Sequence, residues 1–172
     1  AEAFARVLHM FQPRLTGERD FFCAAITSIT GLISSPMFSI YGATKAAMCS
    51  LIESVNAELA AQEKVNRILN VAPGMIPGTG FYGARDDPAQ TMELARQIID
   101  AMLARRDRFI PKYDEVYRGV LERYHADPAR FGVESYQYKC GSGRVSAKSN
   151  LKIGFLSGTF DLFHIGHLNL LR

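Results

Sequence analysis

A serine, a tyrosine and a lysine at fixed spacing are the residues of this chain best suited to proton transfer. Ser28 stands thirteen residues before Tyr41, and Lys45 four after it, in the stretch FFCAAITSITGLISSPMFSIYGATK from Phe21 to Lys45. A phenol with an ordinary pKa of about 10 neither gives nor takes a proton readily at neutral pH. A lysine ammonium one helical turn later shares its face, favours the phenolate and lowers that pKa. The tyrosine could then serve as general acid or base toward a carbonyl or alcohol. A serine at the end of the neighbouring strand could hydrogen-bond the same oxygen. The alternative is a tyrosine ending a loop and a solvated helix lysine, and YxxxK by itself leaves it open.

A second constellation carries different chemistry. Gly158 to His167 reads GTFDLFHIGH, with two imidazoles three residues apart at an expected helix N-terminus. Backbone N–H groups and the helix dipole favour phosphate oxygens there. Two histidines on one face could stabilise charge on a transferring nucleotidyl phosphate. Zinc is the rival, but HxxH supplies two ligands and no nearby Cys, Asp or third His completes a set. A structural role for the pair also stays open.

The elements around these residues follow from composition and period. The chain has 172 residues, 48% hydrophobic and 22% charged, enough to bury a core and unlike a disordered segment. A net charge of +3 is too mild to suggest nucleic-acid binding. No apolar run approaches the roughly 18 to 20 residues of a membrane span, and the opening AEAFARVLHMFQPRL lacks a signal-peptide layout. Three widely spaced cysteines without CxxC suit free thiols in a reducing, cytoplasmic setting.

Residues 1–15 have helical spacing, with Pro13 disturbing the last turn. Phe21 to Thr27 has the near-continuous apolarity of a strand buried on both faces of a parallel sheet. From Thr44 to about Gln62, Ala47, Met48, Leu51, Ile52, Val55 and Leu59 form one apolar helix stripe. Val65 to Ala72 reads as a strand broken at Pro73-Gly74, followed by the irregular loop PGMIPGTGFYG. Asp87-Pro88-Ala89-Gln90 is a helix start, with Asp as cap and Gln at the capping-box position. Met92, Ala95, Ile98, Ile99, Met102 and Leu103 should then face inward. A short strand is expected at Phe109–Tyr113 and a helix over Asp114–His125. Residues 135–150, basic and containing CGSGRVSAKSN, read as a flexible linker. Leu151 to Leu156 begins another strand.

The combination of Ser, Tyr at plus 13, Lys at plus 17, an Ala-rich amphipathic helix and a strand ending in Pro-Gly resembles the short-chain dehydrogenase/reductase family over about residues 3–113. The resemblance implies an α/β fold, the C-terminal half of a Rossmann-like, doubly wound parallel sheet with helices on both faces. It implies Ser28 as the substrate-orienting serine, Tyr41 as the acid/base, and Lys45 as the lysine that tunes Tyr41 and holds the nicotinamide ribose. Tyr41, Lys45, Pro73, Gly74 and Ile76 would bind NAD or NADP. The family's opening strand, its T-G-x-x-x-G-x-G turn and its N-A-G segment have no counterpart in these residues. Gly78 to Gly83 spells GxGxxG, but it follows a Pro-Gly break and opens no helix within a βαβ unit, so it is rejected as the dinucleotide fingerprint. In the family a threonine follows Pro-Gly after three residues; here Gly78 holds that place and Thr79 comes next.

GTFDLFHIGHLNLL resembles the N-terminal signature of cytidylyltransferases that activate glycerol, ethanolamine or choline phosphate, over about residues 152–172. The resemblance implies that Gly158, Thr159, Phe160, His164 and His167 contact CTP, with Mg. The expected organisation is 1–134 as reductase half, 135–150 as linker and 151–172 as the start of a cytidylyltransferase domain. The expected function is a fragment of a bifunctional enzyme, an NAD(P)-dependent oxidoreductase acting on a keto-sugar phosphate or polyol phosphate, joined to a CTP-dependent transferase. The alternatives are cytidylyl transfer as the main role, and an inactive or oligomerising fragment. The family resemblance further implies a homo-oligomer formed through the 44–62 helix.

Overall fold

The computed structural model describes residues 2–76, 79 and 88–142. Three short strands, β1 (Phe22–Ile26), β2 (Arg67–Val71) and β3 (Arg108–Phe109), form one parallel sheet in the order β1-β2-β3. The helices are α1 (Glu2–Leu15), α2 (Ser39–Ala61), α3 (Pro88–Leu103), α4 (Arg118–Ala126) and α5 (Pro128–Gly141). Phe22 lies opposite Arg67 and Ile26 opposite Val71, so every strand-to-strand step is a crossover carrying helices.

Alternation along β2 sorts these helices onto two faces. Ile68 joins Leu8 and Leu15 of α1 and Ile52 and Leu59 of α2 in one cluster. Its neighbours Leu69 and Val71 pack instead with Ala101 of α3. Helices on both faces of a parallel three-stranded sheet are consistent with part of a Rossmann-like α/β fold.

Where β3 is too short, a side chain extends the ladder. Asn70 N–H donates to Asp107 O and Ala72 N–H to Phe109 O, both at 2.9 Å. Ile68 is in phase with them but has no strand opposite. Asn56 of α2 fills in: its Oδ1 accepts from Ile68 N–H at 2.9 Å and its Nδ2 donates to Ile68 O at 2.8 Å. That requirement turns α2 relative to its apolar pattern. Cys49, Ile52, Asn56 and Leu59 are buried, while Ala47, expected in the stripe, faces outward.

Several other expectations are corrected. Phe22 is 39% exposed and Ile26 52%, because β1 pairs only with β2 among the described residues. Met92, Ala95, Ile99 and Leu103 are exposed on α3, since the sheet takes up the face bearing Ile98, Ala101 and Met102. Helix α1 continues through Pro13 to Leu15, whose burial against α2 holds the last turn in place. The segment expected as a strand at 109–113 has only Arg108–Phe109 in the sheet, and the following helix opens with a π-helical turn at Tyr113–Tyr117. Residues 135–141, expected as linker, are the last turns of α5. Its start is well specified: Asp127 Oδ1 accepts from Arg130 N–H at 2.9 Å and Pro128 occupies the first turn. The Asp87 cap and the remaining linker and transferase residues, 143–172, lie outside the described residues. All three cysteines are free, and burial pushes the Cys23 thiol up.

Candidate active site

The site is built where β1 ends. Thr27 N–H donates to Val71 O at 2.7 Å and Ile29 N–H to Pro73 O at 2.9 Å, so the chain stays registered with β2 past the last strand residue. Thr27 Oγ1 donates to Asn70 Oδ1 at 2.5 Å, locking the same junction from inside. Ser28, extended at φ −169°, caps a 3₁₀ turn at Ile29–Gly31, its Oγ accepting from Thr30 N–H at 3.3 Å. Thr30 Oγ1 donates to the same oxygen at 3.0 Å, and Ser28 Oγ points its own proton toward Pro73 O at 3.4 Å.

This turn lies directly on α2. A Cβ at Gly31 would stand 2.7 Å from the carbonyl carbon of Lys45 and 2.8 Å from its oxygen. Only hydrogen fits, and that close approach sets the distance between the serine turn and the helix carrying Tyr41 and Lys45. Gly31→Ala is therefore expected to destabilise the fold by about 1–3 kcal/mol, because two backbones must separate. Gly119 is the matched control, since a Cβ there meets nothing within 4 Å. Thermal unfolding should show a lower Tm for Gly31→Ala and an unchanged or higher one for Gly119→Ala.

Lys45 reaches back to the strand: its Nζ donates to Ile26 O at 3.0 Å and lies 5.7 Å from the centroid of the Tyr41 ring. Tyr41 is 41% exposed, and its hydroxyl has no hydrogen-bond partner among the described residues. The far wall is the segment after β2. Gly74 packs against Tyr117, where a Cβ would fall 1.6 Å from the phenolic oxygen. Burial pushes the Tyr117 phenol up, keeping it a neutral wedge under the Pro73-Gly74 turn.

Ser28, Tyr41, Lys45, Pro73, Gly74 and Ile76 thus line one cleft of about 330 Å³. Thr79, one position away from the family's threonine, lines it too, its Oγ1 donating to Ile76 O at 2.9 Å. Gly158, Thr159, Phe160, His164 and His167 lie outside the described residues. The cleft also holds residues that sequence reading missed: Thr30, Ser35, Phe38 and Lys139. Thr30 carried a local signal, a second hydroxyl two residues after Ser28. Lys139 carried none, being 104 positions from the Ser35 hydroxyl it meets.

Chemically, the arrangement offers an accessible phenol beside a fixed cation and a serine whose proton sits in a long, easily exchanged bond. That is a donor–acceptor set for a carbonyl or alcohol oxygen.

Residues 9–89 match the family described as short chain dehydrogenase. No curated protein matches the chain. Among solved structures, a short-chain dehydrogenase from Streptomyces avermitilis is 23% identical, with 84% of this chain and 60% of that one covered and a TM-score of 0.51. A protein from Novosphingobium aromaticivorans assigned to the short-chain dehydrogenases is 21% identical, with 80% and 52% covered and a TM-score of 0.49. The Streptomyces likeness shows a shared fold. The chain spans between half and three-fifths of the length of these two structures.

Proposed function

We propose that this chain carries the catalytic half of an NAD(P)-dependent short-chain oxidoreductase, with Tyr41 as acid/base toward a carbonyl or alcohol. The observation that supports it most is the convergence of Ser28, Tyr41, Lys45 and the Pro73–Ile76 segment on one small cleft. Within the family-matched residues 9–89, these groups come from three separate elements.

The cleft fits the nicotinamide–ribose end of the cofactor. Lys45 spends one of its three N–H donors on Ile26 O, leaving two for ribose hydroxyls. Pro73, Gly74 and Ile76 offer an uncharged, apolar wall for a flat ring to approach. When bound, the nicotinamide supplies or accepts a hydride. The protein's own part is to orient the substrate oxygen and move its proton. Ser28 redirects its hydroxyl from the Pro73 carbonyl to that oxygen, while Thr30 keeps the serine oxygen in place. Tyr41 gives its proton to the carbonyl oxygen in reduction and takes one from the alcohol in oxidation. The Lys45 ammonium stabilises the negative charge left on the phenol.

The substrate reading is a keto-sugar phosphate reduced to a polyol phosphate. It is supported by the joining of the Tyr41 motif to the GTFDLFHIGH segment in one chain. NAD(P)H oxidation by the purified full-length protein is the test. Turnover of phosphorylated ketoses is expected, and absence of turnover across ketones, aldehydes and secondary alcohols with either cofactor would sink the reading. A CTP-dependent transfer to the resulting polyol phosphate is the second activity, supported by that motif alone. With Mg, the same protein should release pyrophosphate from CTP and a polyol phosphate. Failure across such acceptors counts against it.

A further inference from the structure

The fold brings a second lysine into the cleft from far along the chain. Lys139, in the last turn of α5, donates from Nζ to Ser35 Oγ and to Pro36 O, both at 2.8 Å. Its ammonium also lies 5.2 Å from the Phe38 ring centroid. Ser35, Pro36 and Phe38 belong to the loop between Ser28 and Tyr41, so α5 grips the segment that leads into the catalytic helix. In the middle of that loop Met37 holds φ at 70°, a left-handed conformation that costs a side-chained residue energy and is found at constrained functional loops.

Lys139, Ser35 and Phe38 line the same cleft as Tyr41. The cleft contains two lysines and, among the described residues, no aspartate or glutamate. Neither lysine has a carboxylate within ion-pair distance among the described residues. Lys139 is half-buried, and burial pushes its ammonium down from the ordinary lysine range. Two neutral oxygens and the Phe38 ring leave the partly desolvated cation without a counter-ion among the described residues. Two of its three N–H groups are engaged, and the third remains for a ligand.

We propose that Lys139 is the anion-recognition residue of this cleft, binding a phosphate or carboxylate on the molecule whose carbonyl or alcohol meets Tyr41. The identity of the reacting group rests on the oxidoreductase reading; the anion subsite rests on Lys139 and its surroundings. An anionic oxygen at the free N–H forms a charge-assisted hydrogen bond in a partly desolvated place. Ser35 supports it, because its oxygen accepts from Lys139 and its own proton is left to donate to the same anion. A cleft of about 330 Å³ lies at the small end of ligand sites, which suits a compact molecule carrying both functions. The competing role is a clamp that ties α5 to the loop and reads no substrate.

The test has one arm that needs no turnover. The protein carrying ¹⁵N-labelled lysine is titrated with inorganic phosphate and separately with acetate, following the Lys139 ammonium resonance, assigned by its loss in Lys139→Gln. Saturable movement supports the subsite, and the anion acting at lower concentration identifies phosphate or carboxylate as the group read. In the second arm, KM is compared for ketones bearing a phosphate, a carboxylate or no charge. Lys139→Gln should raise KM for the anionic ketone about 10- to 30-fold more than for the neutral one, with KM affected more than kcat. Lys139→Arg should recover the discrimination. A Lys139 resonance indifferent to both anions, or a variant that raises all three KM values alike, overturns the proposal. If no ketone turns over, the oxidoreductase reading fails and the titration alone decides Lys139.

Discussion

Replacing Tyr41 by Phe is expected to lower kcat for carbonyl reduction by about 10²- to 10⁴-fold while leaving thermal unfolding where it was. The loss corresponds to about 3–5 kcal/mol of transition-state stabilisation, the scale of one well-placed proton donor. The stability half follows from the side chain's surroundings. Tyr41 is 41% exposed, and its hydroxyl bonds to nothing among the described residues. Deleting one exposed oxygen that the fold does not use should change stability by less than about 0.5 kcal/mol. The ring, and with it the contact to the Lys45 ammonium, is retained in Phe. Steady-state kinetics and a melting curve on the same preparation check both halves. A variant that keeps its kcat removes Tyr41 from the chemistry. One that melts early gives the hydroxyl a structural partner instead.

What was legible in the sequence was whatever short range determines. Tyr41 and Lys45 are one helical turn apart, so their neighbourhood follows from helix geometry alone. Ser28 was readable because a buried strand must end there, and the observed 3₁₀ turn differs from that expectation only in detail. The α/β class came from the family resemblance, and the three parallel strands with their helices agree with that coarser expectation. The failures share one cause, which is that a pattern shows that a face is apolar but not which neighbour covers it. Phe22 and Ile26 look like a doubly buried strand, yet among the described residues they pair on one side only. Asn56 looks like a polar interruption in an apolar stripe, and is buried because β2 needs its amide. Lys139 looked like linker composition, and belongs to the cleft because α5 folds back on the 34–38 loop.

Helix ends give the same lesson in reverse. α2 and α3 close with Schellman bonds, Lys64 N–H to Leu59 O at 2.9 Å and Arg106 N–H to Ala101 O at 3.1 Å. The left-handed positions hold Glu63 and Arg105, at φ 55° and 54°, where a sequence reader looks for glycine. At Arg105 the cost is offset by what the side chain reaches. Its guanidinium donates to Phe21 O and Asn66 Oδ1, each at 3.0 Å, and to Asp20 Oδ1 at 2.5 Å.

Asn66→Ala is expected to be the most destabilising polar-to-alanine change, by about 3–5 kcal/mol, because Asn66 is the hub of that same corner. It is 0% exposed. Its Oδ1 accepts from Phe21 N–H at 2.9 Å as well as from Arg105. Its Nδ2 lies within 3.1 to 3.3 Å of four carbonyl oxygens, those of Arg14, Leu15, Gly17 and Arg19. Two N–H groups are therefore shared among four acceptors, and one side chain organises the whole passage from α1 into β1. Removing it orphans a half-buried backbone N–H, several carbonyls and part of a guanidinium, groups that cost about 1–3 kcal/mol each when buried and unpaired. The terms do not add in full, since the corner can relax and admit water. Even so, the loss is a large share of the roughly 5–15 kcal/mol by which a domain is stable. Asn66→Asp separates hydrogen bonding from packing. It keeps the volume and the acceptor but turns the donor into a second acceptor facing four carbonyls, so it should be at least as damaging as alanine. Urea unfolding should show the midpoint falling in both variants, with the slope unchanged. Asn66 and its partners do not line the cleft, so the folded fraction of Asn66→Ala should retain the parent KM. Tyr41→Phe and Asn66→Ala then form a crossed pair, one losing turnover at constant stability and the other losing stability at constant KM. An Asn66→Ala protein that melts with the parent would show that the turn from Arg14 to Phe21 is held by its own backbone, and not by this amide.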